Sequence, residues 1–242
     1  MRYALISDIH GNLEAFEAVL GDLSIESIDK YLFAGDCVGY GANPKECIKA
    51  LKSLNCAVSI AGNHEWGALG LLDLEYFSDY AREAVVRTKS VLDNREADYL
   101  RSFELLHEDA SFTMVHGSLE SPAEFNYIRN SREAAAAAKL MKNAVLFVGH
   151  THDAGIFYFD SDEAGYSPGP RIKIDRDKKY VINVGSVGQP RDGDPRAAYA
   201  LYDDSSGMVE IKRTAYDIEG AQKKILKAHL PAFFAERLSE GR

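Results

Sequence analysis

The stretch Ala4-Leu5-Ile6-Ser7-Asp8-Ile9-His10-Gly11-Asn12 joins a short apolar run to a carboxylate, an imidazole and a glycine. The run has the length and composition of a buried strand. Asp8 and His10 stand two apart, so in extended backbone they project to the same side. A carboxylate and an imidazole aimed at one point form a corner of a metal site.

The chain that follows repeats this design. Leu13, Phe16, Val19, Leu20 and Leu23 share one helical face, with Asn12 as N-cap. Tyr31–Ala34 predicts a second strand ending at Gly35-Asp36, and Pro44 opens a helix through about Leu54. Ala57–Ala61 predicts a third strand, ending at Gly62-Asn63-His64-Glu65. Alternating strands and helices argue for a parallel sheet with right-handed crossovers, and chemistry in such sheets gathers beyond the carboxyl ends of the strands. Residues 66–103 predict a helical insertion, in which Tyr80, Ala84, Thr88 and Val91 recur at helical spacing. Ser111–Val115 and Val145–Val148 predict two more buried strands, ending at His116-Gly117 and Gly149-His150-Thr151-His152. Between them, residues 117–130 are loop-like and Ser131 caps an alanine-rich helix. Beyond residue 155, short strands separated by turns such as Ser167–Pro170 predict a second, largely antiparallel sheet. A helical tail over about 218–238, broken at Pro231, follows. The expectation is one α/β domain over 1–242: two packed sheets with helices on the outer faces.

Bulk properties narrow the function classes. The chain has 242 residues and a net charge of −9, which disfavours long nucleic acid and anionic membrane as partners. A small phosphate substrate remains compatible, because a bound cation reverses the local field. No apolar run reaches the ~20 residues of a membrane helix, and no signal peptide is read. Cys37, Cys47 and Cys56 form no CxxC pair, so a reducing, cytoplasmic compartment is expected. The oligomeric state is not legible.

The candidate site residues are Asp8, His10, Asp36, Asn63, His64, His116, His150 and His152, which take up five of the seven histidines. His107 and His229 read as surface or helix-end residues. Any one cluster alone is weak, since a histidine after a strand is ordinarily structural. Their co-occurrence is what carries weight: several buried imidazoles at one rim would repel when protonated, and metal coordination removes that cost. Oxygen and nitrogen donors suit Mn, Fe, Zn, Co or Ni without choosing among them, and manganese is the expected metal. Seven ligands exceed what one ion with an open position takes. Two ions ~3.5–4 Å apart, sharing a carboxylate, would use them all and generate a hydroxide nucleophile at neutral pH. His64, next to Asn63, is free to stand off the metals and protonate the leaving oxygen.

In order, Asp8-x-His10, Gly35-Asp36, Gly62-Asn63-His64-Glu65, His116 and Gly149-His150-Thr151-His152 resemble the calcineurin-like metallophosphoesterase superfamily. Val184-Gly185-Ser186-Val187-Gly188-Gln189-Pro190-Arg191 further resembles its small bacterial and archaeal phosphodiesterase branch. The resemblance implies an αββα sandwich of the metallo-dependent phosphatase type. It implies Asp36 as the bridging carboxylate, Asp8, His10 and His152 on one ion, and Asn63, His116 and His150 on the other. It implies His64 as general acid, with Asn12 and Asn63 as phosphate contacts. The related protein Ser/Thr phosphatases carry Val-Asp-Arg-Gly after the bridging Asp, where this chain has Val38-Gly39-Tyr40-Gly41. The phosphate-gripping arginine is thus missing there, and Arg191 is the candidate to supply that charge. The expected activity is hydrolysis of a small phosphodiester or nucleotide, with asymmetric diadenosine tetraphosphate hydrolysis as the sharper alternative. A non-catalytic scaffold on the same fold is the remote one.

Overall fold

Strand β1 (Arg2–Ile6) is central because both of its edges are used. It pairs in parallel with β2 (Lys30–Phe33), setting Leu5 opposite Leu32, and antiparallel with β11 (Ala197–Asp203), setting Leu5 opposite Ala200. The computed structural model describes residues 1–160, 164–167 and 169–242. Pro168 of the expected 167–170 turn lies outside the described residues.

Two mixed sheets face each other. The first runs β3 (Val58–Ser59), β2, β1, β11, β12 (Met208–Thr214), β9 (Arg171–Lys173). The second runs β4 (Leu106–Glu108), β5 (Thr113–Val115), β6 (Val145–Val148), β10 (Lys179–Asn183), β7 (Gly155–Phe159), β8 (Ala164–Ser167). Strand alternation sorts the side chains between the layers. Tyr3 and Leu5 point between the sheets, against Phe112, Met114, Phe147 and Ile182. Ala4 and Ile6 point outward, under α1 (Leu13–Leu23) and α2 (Pro44–Leu54), beside Phe16, Val19 and Leu51. Helix α6 (Ser131–Leu140) covers the outer face of the second sheet with Ala134 and Ala137. Asn12 caps α1 by accepting from the Ala15 N–H at 3.1 Å.

Several expectations are corrected. β1, β2 and β3 pair in parallel within one sheet as expected, but the later strands form no separate antiparallel sheet: β11, β12 and β9 extend the first sheet antiparallel, and β10, β7 and β8 join β5 and β6 in the second, which is mixed. Apolar runs report burial on both faces but not which of two sheets a strand joins. The third strand is only Val58–Ser59, with Ile60 making an isolated bridge to Glu104. Edge strands β4 and β8, half polar and half exposed, carry no apolar run to reveal them. Asn130, not Ser131, caps α6, because its side chain accepts from the N–H groups of Arg132 and Glu133.

The insertion folds as α3 (Asn63–Leu69), α4 (Asp79–Val91) and α5 (Asn94–Arg101). The tail forms α7 (Ile218–Lys227) and α8 (Ala232–Glu236), broken at Pro231, and buries Ile225, Phe234 and Leu238 against Ala84 of α4.

The loop 184–191 locks onto the segment after β1. Val187 N–H donates to Ser7 O at 3.0 Å, Gly188 N–H to Asp8 O at 2.9 Å, and Ser186 Oγ to Asp8 O at 2.8 Å. Gly188 sits so close that a Cβ there would lie 1.8 Å from the Ile9 carbonyl oxygen, whereas one at Gly21, inside α1, meets nothing within 4 Å. Gly188→Ala should therefore cost about 1–3 kcal/mol through overpacking, and Gly21→Ala should gain about 0.5–1 kcal/mol. Urea unfolding midpoints check both, and a Gly188→Ala protein as stable as wild type would contradict this packing.

Candidate metal centre

Asp8, His10, Asp36, His150 and His152 all adopt left-handed backbone, with φ of 53°, 50°, 61°, 67° and 62°. Side chains other than glycine rarely take this conformation, and each instance stores about 1–3 kcal/mol. Strand alternation is therefore not what aims Asp8 and His10 together. Strand β1 ends at Ile6, and tight turns past its end do so. Those turns are laced across the sheet: Asp8 N–H donates to Gly35 O at 2.8 Å, His10 N–H to Asp36 O at 3.0 Å and Gly11 N–H to Cys37 O at 2.9 Å.

Three imidazoles are oriented alike. The Nδ1 of His10 lies 3.0 Å from Val38 O, that of His116 2.7 Å from Ala34 O, and that of His152 2.6 Å from Gln189 O. A carbonyl only accepts, so each Nδ1 carries the proton and each Nε2 turns a lone pair inward. His10 Nε2 and His152 Nε2 are 3.0 Å apart. Asp8 Oδ1 lies 3.1 Å from His152 Nε2, and Asp36 Oδ2 lies 3.2 Å from His116 Nε2 and 3.6 Å from His10 Nε2. Asp8, His10, Asp36, His64, His116, His150 and His152 are all buried. Asp8 Oδ1, Asn63 Oδ1 and His116 Nε2 have no hydrogen-bond partner.

Orphaned buried acceptors facing one another are costly unless a cation lies among them. The donors form overlapping groups of metal-ligating geometry: Asp8, His10 and His152; Asp36, His116 and His150; and His10, Asp36 and His64. Asp36 belongs to two of the three. This donor set fits two transition-metal ions sharing one carboxylate.

The electrostatics follow from burial and from neighbours. Burial pushes the Asp36 and Asp8 carboxyls up, but the surrounding imidazoles outweigh it and hold both below the usual carboxylate range. Burial presses His116 down, yet the Asp36 carboxylate raises it to about 10. His64 and His152 are driven down to about 3, chiefly by burial. Burial also pushes up the thiols of Cys37 and Cys47, and that of Cys56 to about 12, so they are poor nucleophiles.

Glu65 is a functional residue whose role the sequence did not reveal. Its Oε2 accepts from the N–H groups of Asp36 and Gly62, both at 2.8 Å, and its Oε1 from those of Cys37 at 2.7 Å and Val38 at 3.3 Å. One buried carboxylate thus fixes the turn that presents Asp36. Burial raises its carboxyl to about 7, against those four donors, which favour the ion. Asp36 Oδ1 in turn accepts from the His64 N–H at 2.9 Å, and Gly62 leaves the room for it: a Cβ there would fall 2.0 Å from that oxygen.

Asn12 is corrected by the structure. Its Oδ1 caps α1 and its Nδ2 donates to Gly188 O at 2.8 Å, so both polar atoms serve the main chain and it does not line the cleft. Arg191 does face the cleft. Asp36, Asn63, His64, His150 and His152 border a cavity of about 370 Å³ with Arg191. Tyr40 packs against the rings of His10 and His64, each at 4.7 Å, and against Phe234 at 5.2 Å. A neighbouring cavity of about 420 Å³ shares Asn63, His150 and Tyr127 and is walled by Leu72, Tyr76, Phe77 and Phe125. Tyr127 stacks on His150 at 4.0 Å, and Arg129 covers the Tyr127 ring at 3.7 Å.

His107 lies half-buried in β4 near Glu104 and Asp109, and His229 is exposed at the end of α7. Because Glu65 satisfies four buried N–H groups, Glu65→Gln should destabilise the protein by about 3 kcal/mol or more. It should also reduce metal retention after gel filtration. Thermal unfolding with elemental analysis checks this, and a wild-type melting temperature in the variant would contradict it.

The comparisons with known proteins agree with the geometry. The model of the calcineurin-like phosphoesterase superfamily domain matches residues 1–207. An uncharacterised protein of Methanocaldococcus jannaschii is 40% identical over 99% of this chain and 98% of its own. The crystal structure of a metallophosphoesterase from Sphaerobacter thermophilus superposes with a TM-score of 0.88 at 36% identity, covering 100% of this chain and 99% of that one. A symmetrical bis(5'-nucleosyl)-tetraphosphatase of Aromatoleum aromaticum is 30% identical over 47% of this chain and 43% of its own. The chain belongs to the calcineurin-like phosphoesterase superfamily.

Proposed function

We propose that this protein is a dinuclear metal-dependent phosphoesterase that hydrolyses a small phosphodiester or nucleotide-type substrate. The observation that carries the proposal is the buried convergence of imidazole Nε2 and carboxylate atoms around Asp36. Asp8, His10 and His152 would hold one ion, Asn63, His116 and His150 the other, and Asp36 both. Manganese is the proposed metal and the cytoplasm the proposed location. The whole chain is proposed to act as one domain, since the tail packs on the insertion beside the cleft. When bound, the ions would supply Lewis-acid charge and lower the pKa of water toward ~7.

The chain's own groups do the rest. Asn63 and Arg191 orient the phosphoryl group. His64, held by its N–H on Asp36 Oδ1, stands over the cavity as the general acid. Burial keeps this ring neutral in the free protein, and an entering phosphoryl anion favours its protonation, with the proton taken from solvent as the substrate binds. The aromatic neighbouring cavity suits a nucleobase, whose flat face stacks on such side chains.

A dinucleoside tetraphosphate is the second reading, favoured by the relative from Aromatoleum aromaticum, whose named activity is symmetrical. Product analysis separates its two forms: two ADP for symmetrical cleavage, AMP and ATP for asymmetric cleavage.

His64→Ala should lower kcat by about 10²–10⁴ for ribose or alkyl leaving groups, which need a proton. It should lower kcat far less for p-nitrophenolate, which does not. Steady-state kinetics of the manganese-loaded protein on paired esters checks this. Equal losses on both leaving groups would contradict the assigned role.

A further inference from the structure

Two guanidinium groups border the cleft without an Asp or Glu side-chain partner among the described residues. Arg191 donates from Nη2 to Gln189 Oε1 at 2.7 Å, and its Nε is buried with no hydrogen-bond partner. Its guanidinium lies 5.5 Å from the Tyr40 ring centroid. Arg237 reaches the same cavity from the C-terminal tail. It stands 5.0 Å from the Phe233 ring centroid, and its Nε donates to the main-chain oxygen of Arg242. Of the other arginines nearby, Arg196 pairs with Asp194 and Arg213 with Asp192, while Arg129 covers the Tyr127 ring from the exposed side.

Leaving two like charges half-buried around one cavity is unfavourable unless an anion lies between them. Burial, and secondarily Arg191, pulls Arg237 down to about 10. The tail is nevertheless fixed in place, with Phe233 stacked on Tyr80 at 4.9 Å and Phe234 against Tyr40 at 5.2 Å. Arg237 lies beyond residue 207, where the family match ends.

We propose that Arg237 closes a two-arginine clamp with Arg191 that binds phosphoryl oxygens of the ligand, making the C-terminal tail part of the substrate site. This rests on the phosphoesterase reading. Guanidinium forks suit phosphate geometry, and such charge-assisted bonds are the strong ones.

The test is calorimetric titration of the manganese-loaded protein with inorganic phosphate, with metal content measured in parallel. Arg237→Gln and Arg191→Gln should each weaken phosphate binding by about tenfold or more, without loss of metal. Arg237→Met, which keeps the stem on Phe233 without the charge, should lose as much and covers the case in which the glutamine variant undocks the tail. Arg101→Gln, whose native partner is Asp98 on the surface, should bind as wild type. Wild-type affinity in Arg237→Gln, or in Arg237→Met together with an undocked glutamine variant, overturns the clamp and leaves the phosphoesterase reading standing. A loaded wild-type protein that binds no phosphate overturns both.

Discussion

The site depends on three hydrogen bonds from imidazole Nδ1–H to main-chain carbonyls, those of Ala34, Val38 and Gln189. They fix the tautomers of His116, His10 and His152 and leave every Nε2 facing a common space. Ala34 and Val38 lie in the segment that follows β2 and Gln189 in the loop 184–191, so main-chain rather than side-chain partners set the geometry. A lone pair turned toward another lone pair at 3.0 Å, as between His10 and His152, is tolerable only where a cation or proton mediates.

Holding that arrangement is energetically unfavourable locally, and the surrounding structure offsets it. Five site residues occupy left-handed backbone. Their turns are bound to one another and to a core of interdigitated sheets. Glu65 shows the logic at one residue: its carboxylate is spent on four N–H groups so that Asp36 can present its own. On the proposed function, substrate choice would fall to the aromatic side chains of the insertion and to the tail, which meet over the cleft around Tyr76, Tyr80 and Phe233.

Much of this was legible in the sequence for physical reasons. Short apolar runs ending in Gly, Asp or His mark buried strands with polar ends, and the candidate side chains named on that basis do meet in space. The Asn12 cap and the Pro44 helix start were readable from local chemistry. Sheet membership was not, because a strand buried on both faces reads the same in either sheet. The φ values of Asp8 and His10 were not, because neither is the glycine that ordinarily signals a left-handed turn. The role of Glu65 was hidden in the same way, since its four partners are main-chain atoms. Asn12 misled because one amide can cap a helix and bind a loop at once. Arg237 lies in a tail whose docking depends on long-range aromatic contacts at Tyr40 and Tyr80.

The most direct measurement of the central claim is anomalous X-ray diffraction from crystals grown with manganese, recorded on both sides of the metal absorption edge. The account predicts two peaks per chain, one on either side of Asp36, the first among Asp8, His10 and His152 and the second among Asn63, His116 and His150. A single peak, or none within bonding distance of Asp36, would contradict it.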